Sequence, residues 1–252
     1  MSAWIALGIR GAAFSALVLA VAACPKELPR DATPDELYQL GRQEFERRSY
    51  GNAIEALQRF IFQDPGHTKT DSAQYMIGES YYQQRQFITA ANEFLRLAQN
   101  RPAGALADDS RYRACESYYQ LSPRPELDQE FTQEAIDQCR SVVLLYPSSP
   151  YAAKANERIG ELVDKLARKQ YLNALYYYKR KAYDSAIVYL EYLLVTYGGS
   201  TVEPEAMLTL YESYTRVGYP EDAEEIKTRL IREYPDSRQA REVEKKASSE
   251  AE

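Results

Sequence analysis

Reactive side chains are few in this sequence, and their spacing limits the chemistry open to it. The single histidine, His67, lies two residues past Pro65. One imidazole builds neither a His-based metal cluster nor a Ser-His-Asp set, and its place after a proline marks a turn residue. No G-x-S-x-G, P-loop or G-x-G-x-x-G pattern occurs. Paired acids such as Asp108-Asp109 and Glu224-Glu225 stand among basic neighbours on helical patterns, as a solvated surface does. The reading is a non-enzyme with no catalytic residue, no metal and no cofactor. What remains is three cysteines, Cys24, Cys115 and Cys139, and 22 tyrosines against 7 phenylalanines and 1 tryptophan. A thiol can carry a lipid or close a disulfide, and a tyrosine offers an apolar ring with a polar tip.

Cys24 closes an apolar run from Ala12 to Ala23 that Arg10 alone precedes as a charge. The run has the length of a signal-peptide core and falls short of the ~20 residues a membrane span needs. Its end, Val21-Ala22-Ala23-Cys24, resembles the lipobox of bacterial lipoproteins, in which the cysteine thiol receives the lipid. The alternative is a plain secretory signal that happens to abut a cysteine. Residues 1–23 therefore read as a lipoprotein signal peptide and residues 24–34 as an extended, lipidated tether. Pro25 after the cysteine fits passage to the outer membrane, on its periplasmic face. The formal net charge of −6 supplies no basic field for a phosphate backbone, so nucleic acid is excluded as a partner.

Those residues need elements to position them, and an internal register supplies these. An alanine followed twelve residues later by proline recurs as Ala53/Pro65, Ala90/Pro102, Ala135/Pro147 and Ala223/Pro235, with Ala186/Gly198 as the exception. Twelve residues before the alanine stand Gly41, Gly78 and Ala174, with Tyr211 in the last unit, while Cys115 lies eight residues farther from its alanine. Apolar residues between the anchors return at helical spacing, as in Ala53, Ile54, Leu57, Phe60 and Ile61. The pattern resembles tetratricopeptide repeats and predicts an all-α, right-handed helical solenoid of five helix hairpins. Residues 35–150 hold repeats 1–3, and residues 151–240 hold repeats 4–5 with an extended helix through Ala152–Lys169. The longer third unit predicts a loop around Leu121–Thr132 projecting from its hairpin. The polar tail 241–252 is expected to fray.

The segment from Tyr146 to Tyr183 carries a more specific likeness. Tyr146, Pro147, Ser149, Tyr151, Asp164, Leu166, Ala167, Tyr171, Ala174, Tyr176, Tyr177, Lys179, Arg180, Ala182 and Tyr183 form a frame that resembles the BamD (YfiO/ComL) family of outer-membrane assembly lipoproteins. That resemblance implies a scaffold of the β-barrel assembly machinery. Its partners would be the BamA-type barrel catalyst, accessory Bam lipoproteins and unfolded outer-membrane proteins. The rival reading is another periplasmic repeat lipoprotein, a pilus-secretin pilot or a cell-wall synthesis coordinator.

In such solenoids the fifth and twelfth positions of each first helix face the inner groove. Here they are Tyr38 and Phe45, Tyr75 and Tyr82, Tyr112 and Tyr119, and Tyr171 and Tyr178. An exposed aromatic ladder of this kind suits an extended peptide, with Arg42, Lys179 and Arg216 near enough to meet a carboxylate. For any one ring, packing against a neighbouring repeat is the competing reading. Tyr81, Tyr118, Tyr177 and Tyr214, one residue earlier than the twelfth position, are expected to pack inside. Cys115 and Cys139 fall on facing helices of the third unit. A straight antiparallel pairing offsets them by about one turn, near the ~7 Å limit of disulfide geometry. Free buried thiols are thus expected, with a bridge as the alternative.

Overall fold

The computed structural model describes residues 31–250, so the targeting segment, Cys24 and most of the tether lie outside it. The first described helix, α1 (Pro34–Glu46), starts where its sequence directs. The Thr33 hydroxyl caps Glu36 N–H, the Glu36 carboxylate returns to Thr33 N–H at 2.8 Å, and Pro34 sits where no amide donor is needed. The chain turns at Arg48 into α2 (Tyr50–Gln63). The same hairpin recurs as α3 (Thr70–Gln83) with α4 (Phe87–Asn100), and as α5 (Ala107–Leu121) with α6 (Glu130–Leu145). Then follow α7 (Pro150–Lys179) with α8 (Tyr183–Thr196), α9 (Glu203–Val217) with α10 (Pro220–Glu233), and α11 (Arg238–Glu250). The described residues contain helices only, arranged as five hairpins in a tetratricopeptide-type solenoid with one further helix at its end.

Three hairpin tips hold a cation in the left-handed region, Arg48 (φ 63°), Arg85 (φ 60°) and Lys181 (φ 61°), where the fifth has Gly218 (φ 93°). The residue after each reaches back five positions, Ser49 N–H to the Glu44 carbonyl and Gln86 N–H to the Tyr81 carbonyl among them. This bond satisfies an orphan carbonyl of the first helix and compensates the left-handed geometry.

Inside each hairpin the helices meet at the small residue. A Cβ on Gly41 would stand 2.5 Å from Leu57 Cγ, and one on Gly78 would stand 2.7 Å from Phe94 Cε1. Leu57 and Phe94 both follow the repeat alanine by four residues, and so does Cys139. Cys115 and Cys139 therefore occupy the two seats that glycine and a large apolar residue fill in the first two hairpins. Their Cα atoms lie 4.8 Å apart and their sulfurs are bonded. The structure replaces the expected free thiols with a disulfide. The one-turn offset vanishes because the helices cross at this residue instead of running as a straight pair.

Other departures have local causes. The third-unit loop, residues 122–129, is drawn in rather than projecting. Lys165 Nζ donates to Ser122 Oγ at 2.6 Å, and Lys169 Nζ donates to the Leu127 carbonyl at 2.6 Å. Both lysines come from α7, a 30-residue helix about 45 Å long at 1.5 Å per residue. Its first half packs Ala155 and Leu162 with the third hairpin, and its second half packs Tyr171 and Ala174 with α8 and α9. By packing, the expected division at residue 150 falls inside α7, near residue 166. The tail does not fray from residue 241, since α11 buries Ala240 and Val243 against the last hairpin.

Where the fourth unit lacks its proline, a carboxylate closes the turn. Glu203, 2% exposed, accepts hydrogen bonds from the Gly199 amide, from Arg229 at 2.9 Å and from the Tyr234 hydroxyl at 2.7 Å. One buried acceptor thus ties the turn to α10, and its three donors offset the cost of burying the charge.

The disulfide leads to a direct expectation. Alkylation of the unfolded chain without reductant labels neither Cys115 nor Cys139, and prior reduction exposes both, as intact mass reports. Replacing both by alanine removes a closed loop of 24-residue separation. On loop-closure grounds this costs about 3 kcal/mol of stability, readable from urea unfolding.

Candidate functional site

The first helices of successive hairpins lie side by side, as the packing of α1 with α3, α5 with α7 and α7 with α9 shows. They present the face on which the aromatic ladder was expected. The eight rings are there, but none is exposed: Tyr112 and Tyr171 are buried and the other six are half-buried. The expectation of an open ladder is corrected by what these rings touch, because most are committed to the next repeat.

Tyr75 donates its hydroxyl to Asp109 at 3.0 Å, Tyr119 to Glu161 at 2.6 Å and Tyr178 to Glu212 at 2.6 Å. The Tyr171 hydroxyl pairs with Thr209 at 3.1 Å. Tyr112 donates to Glu116 within its own helix at 3.0 Å and stacks on Tyr151 of α7, with centroids 5.2 Å apart. Tyr82 lies beneath the Arg113 guanidinium, 4.1 Å away, and meets Phe87 edge-on. At the N-terminal end, Tyr38 packs against Phe60 and under Lys69, while Phe45 meets Tyr50 edge-on at 5.9 Å.

Ion pairs run between the same helices. Arg113 of α5 binds Glu79 of α3, Arg158 of α7 binds Glu116 of α5 at 2.7 Å, and Arg168 of α7 binds Glu205 of α9 at 2.9 Å. Lys69 joins Asp35 at 2.8 Å across the first boundary, and Lys246 of α11 joins Glu212 across the last. Arg113 and Arg158 also cover the rings of Tyr82 and Tyr119, so cation, carboxylate and phenol form a cluster at each of these two boundaries. Arg42 is exposed beside Glu46 at 3.6 Å, and Lys179 and Arg216 are exposed near the hairpin tips.

The earlier tyrosines pack as expected. Tyr177 stacks on Tyr189 of its own hairpin at 5.3 Å, and Tyr214 donates to Glu191 at 2.6 Å. Tyr81 and Tyr118 sit half-buried against the core. His67 is the turn residue it was expected to be, with Nδ1 accepting from Lys69 N–H at 3.1 Å. Among the described residues no group of acidic, histidine and cysteine side chains could hold a metal, and no helix is long and apolar enough to cross a membrane.

Sequence reasoning found the tyrosines and missed their acceptors. Tyr75 to Asp109, Tyr178 to Glu212 and Glu79 to Arg113 are each separated by 34 residues. An acid or base recurring at that offset from a ring was the available signal, and it reads only once the stacking of first helices is assumed.

Burial and the adjoining carboxylates raise the phenol pKa values along this face. Burial, then Glu116, pushes Tyr112 up to about 12. Burial, then Glu203, pushes Tyr234 up to about 12. Burial also holds Tyr75 and Tyr178 above the ordinary phenol range, reinforced by Asp109 and Glu212 respectively.

Comparison with known proteins adds an independent finding. A family model described as "YfiO: Outer membrane lipoprotein" matches residues 30–230. The outer membrane protein assembly factor BamD of Xylella fastidiosa strain 9a5c is 32% identical over 109 residues, which cover 43% of this chain and 37% of that protein. BamD of Neisseria meningitidis strain Z2491 is 30% identical over 110 residues, covering 44% and 41%. The chain thus matches about two fifths of the length of these curated relatives. Among solved structures, the TPR2AB domain of yeast Sti1 aligns at 12% identity and TM-score 0.44, over 82% of this chain and 80% of that one. The tetratricopeptide protein YrrB aligns at 15% and 0.37, over 84% and 92%.

The raised phenols set the alkaline behaviour. Unfolded tyrosines lose their protons near pH 10, while Tyr112 and Tyr234 keep theirs to about pH 12 when folded. A raised folded pKa gives stability that is whole below pH 10 and lost as pH climbs toward 12. Urea midpoints should hold steady from pH 7 to 9 and fall beyond pH 10, and Tyr112→Phe with Tyr234→Phe should shallow that fall. An unchanged slope in the double variant would count against this origin.

Proposed function

This chain belongs to the YfiO family of outer membrane lipoproteins, and we propose that it is a lipid-anchored scaffold of the machinery that assembles β-barrels in the outer membrane. The observation that carries the proposal is the family match over residues 30–230, which runs from before the first hairpin into α10 of the fifth. The curated relatives' role as outer membrane protein assembly factors supports it. In this reading Cys24 carries the lipid, and the solenoid binds the periplasmic region of the BamA-type barrel together with accessory lipoproteins. It also receives unfolded outer-membrane proteins.

The geometry suits a scaffold. Each boundary between repeats is fixed by at least one charged or phenolic contact, so the hairpins hold their partners at set distances instead of bending around them. The inner face is the proposed place for substrate. With the phenol tips committed to neighbouring acids, an arriving peptide meets ring edges and the exposed cations Arg42, Lys179 and Arg216. Recognition there rests on apolar contact and a terminal carboxylate.

Affinity purification of the C-terminally tagged chain from an envelope extract tests the assignment. Recovery of the BamA-type barrel is expected. A pilus secretin or a cell-wall synthase in its place, without that barrel, would overturn the assembly reading.

A further inference from the structure

The two edges of the solenoid formed by the first three repeats differ in how far their apolar side chains stand out. At one edge the second helices end and the first helices begin. There Phe62, the penultimate residue of α2, is 87% exposed, and Leu144 and Leu145, which end α6, are 78% and 58% exposed. Between them the turn after α4 exposes Pro102 and Ala103, and the turn after α2 exposes Pro65.

These turns form one continuous strip, because each is bonded to the helix start beside it. Lys69 joins Asp35, Arg101 approaches Asp71 at 3.8 Å, Ser149 donates to Asp108 at 2.7 Å, and Tyr146 donates to the Pro102 carbonyl at 3.2 Å. The same contacts occupy Asp35, Asp71 and Asp108, and Glu36 is folded back onto Thr33. Asp35, Asp71 and Asp108 at this edge are therefore partnered and Asp64 is half-buried, while Phe62, Leu144 and Leu145 stand clear. The opposite edge, at the hairpin tips, exposes Arg48, Arg85 and Arg124, with Ile88, Leu127 and Phe131 less exposed beside them at 48%, 51% and 37%.

The course of the chain indicates what lies against this edge. The polypeptide enters α1 at the apolar edge. Pro34 lies ten residues after Cys24, a reach of at most about 35 Å when fully extended. An acyl chain on Cys24 therefore tethers the solenoid to the bilayer from this edge, with the tips about 20 Å farther along the 13-residue α1. We infer that the edge carrying Phe62, Leu144 and Leu145 rests on the lipid surface, with these side chains seated at the headgroup–acyl boundary. The tether would then fix the orientation of the first three repeats as well as their location. The inference rests on acylation of Cys24.

Trp4, the chain's one tryptophan, leaves with the signal peptide in this reading, so in the lipidated chain a single introduced tryptophan reports its own depth. Full-length lipidated protein carrying Phe62→Trp, Leu144→Trp or Ile88→Trp is reconstituted into phosphatidylethanolamine–phosphatidylglycerol vesicles with or without brominated acyl chains. Ile88 is 48% exposed near the tip of the second hairpin and serves as the distal probe. Tryptophan at 62 and at 144 should lose emission in brominated vesicles, and tryptophan at 88 should not. Protein that floats with the vesicles while 62 and 144 stay unquenched overturns the edge contact and leaves acylation standing. Quenching at 88 equal to that at 62 and 144 overturns it too. Protein that does not float with vesicles at all overturns the acylation reading, and this inference with it.

Discussion

The close crossing inside each hairpin is the constraint on which the rest depends. Gly41 under Leu57 and Gly78 under Phe94 leave no room for even one methyl group, and this proximity lets two short helices bury their facing sides completely. Ala53, Ala90, Ala135 and Ala186 are fully buried at the same crossings. The third hairpin solves the same problem covalently, since two cysteines in these seats are close enough to bond. That hairpin also carries the longer loop between its helices, and a covalent tie keeps the crossing fixed where the loop adds conformational freedom.

A closed hairpin still leaves one side of its first helix facing its neighbour, and there polar contacts take over from apolar ones. A phenol reaches farther than an aliphatic chain and ends in a donor, so Tyr75, Tyr119 and Tyr178 span the gap to carboxylates one repeat away. The abundance of tyrosine over phenylalanine follows from this demand. Arg158 pairs with Glu161 as well as Glu116 and covers Tyr119, and Arg113 pairs with Glu79 and covers Tyr82. A face that looks made for ligand is to a large degree the seam of the solenoid, and any ligand meets surfaces that already hold the repeats in place.

The long helix α7 joins two blocks that would otherwise stack in a single register. Its first half lies with the third hairpin, and its second half begins where Lys165 and Lys169 grip the third loop. The fourth and fifth repeats are thereby carried along the helix beyond the tips of the first three. Thr201 N–H to Asp164 and Arg168 to Glu205 fix their starting level on α7.

The sequence alone determined the hairpin count, the crossing residues and the continuity of α7, because these follow from local periodicity and from small residues at fixed intervals. It also identified which tyrosines share a face, since that is a matter of helical phase. Helical phase is silent on what lies opposite, however. Whether Tyr178 meets water or Glu212, and whether Cys115 lies one turn from Cys139 or against it, depends on the crossing angle and stacking of helices far apart in the chain. The third loop looked free because its prolines break helices locally, and only α7 packed against it supplies the lysines that draw it in. Nothing in the local pattern sets Glu203 apart from other acids, and its burial comes from α10 and the Gly199 turn closing around it. Periodicity is written in neighbouring residues, whereas burial and partnership are properties of contacts across repeats, and the tertiary structure decided them.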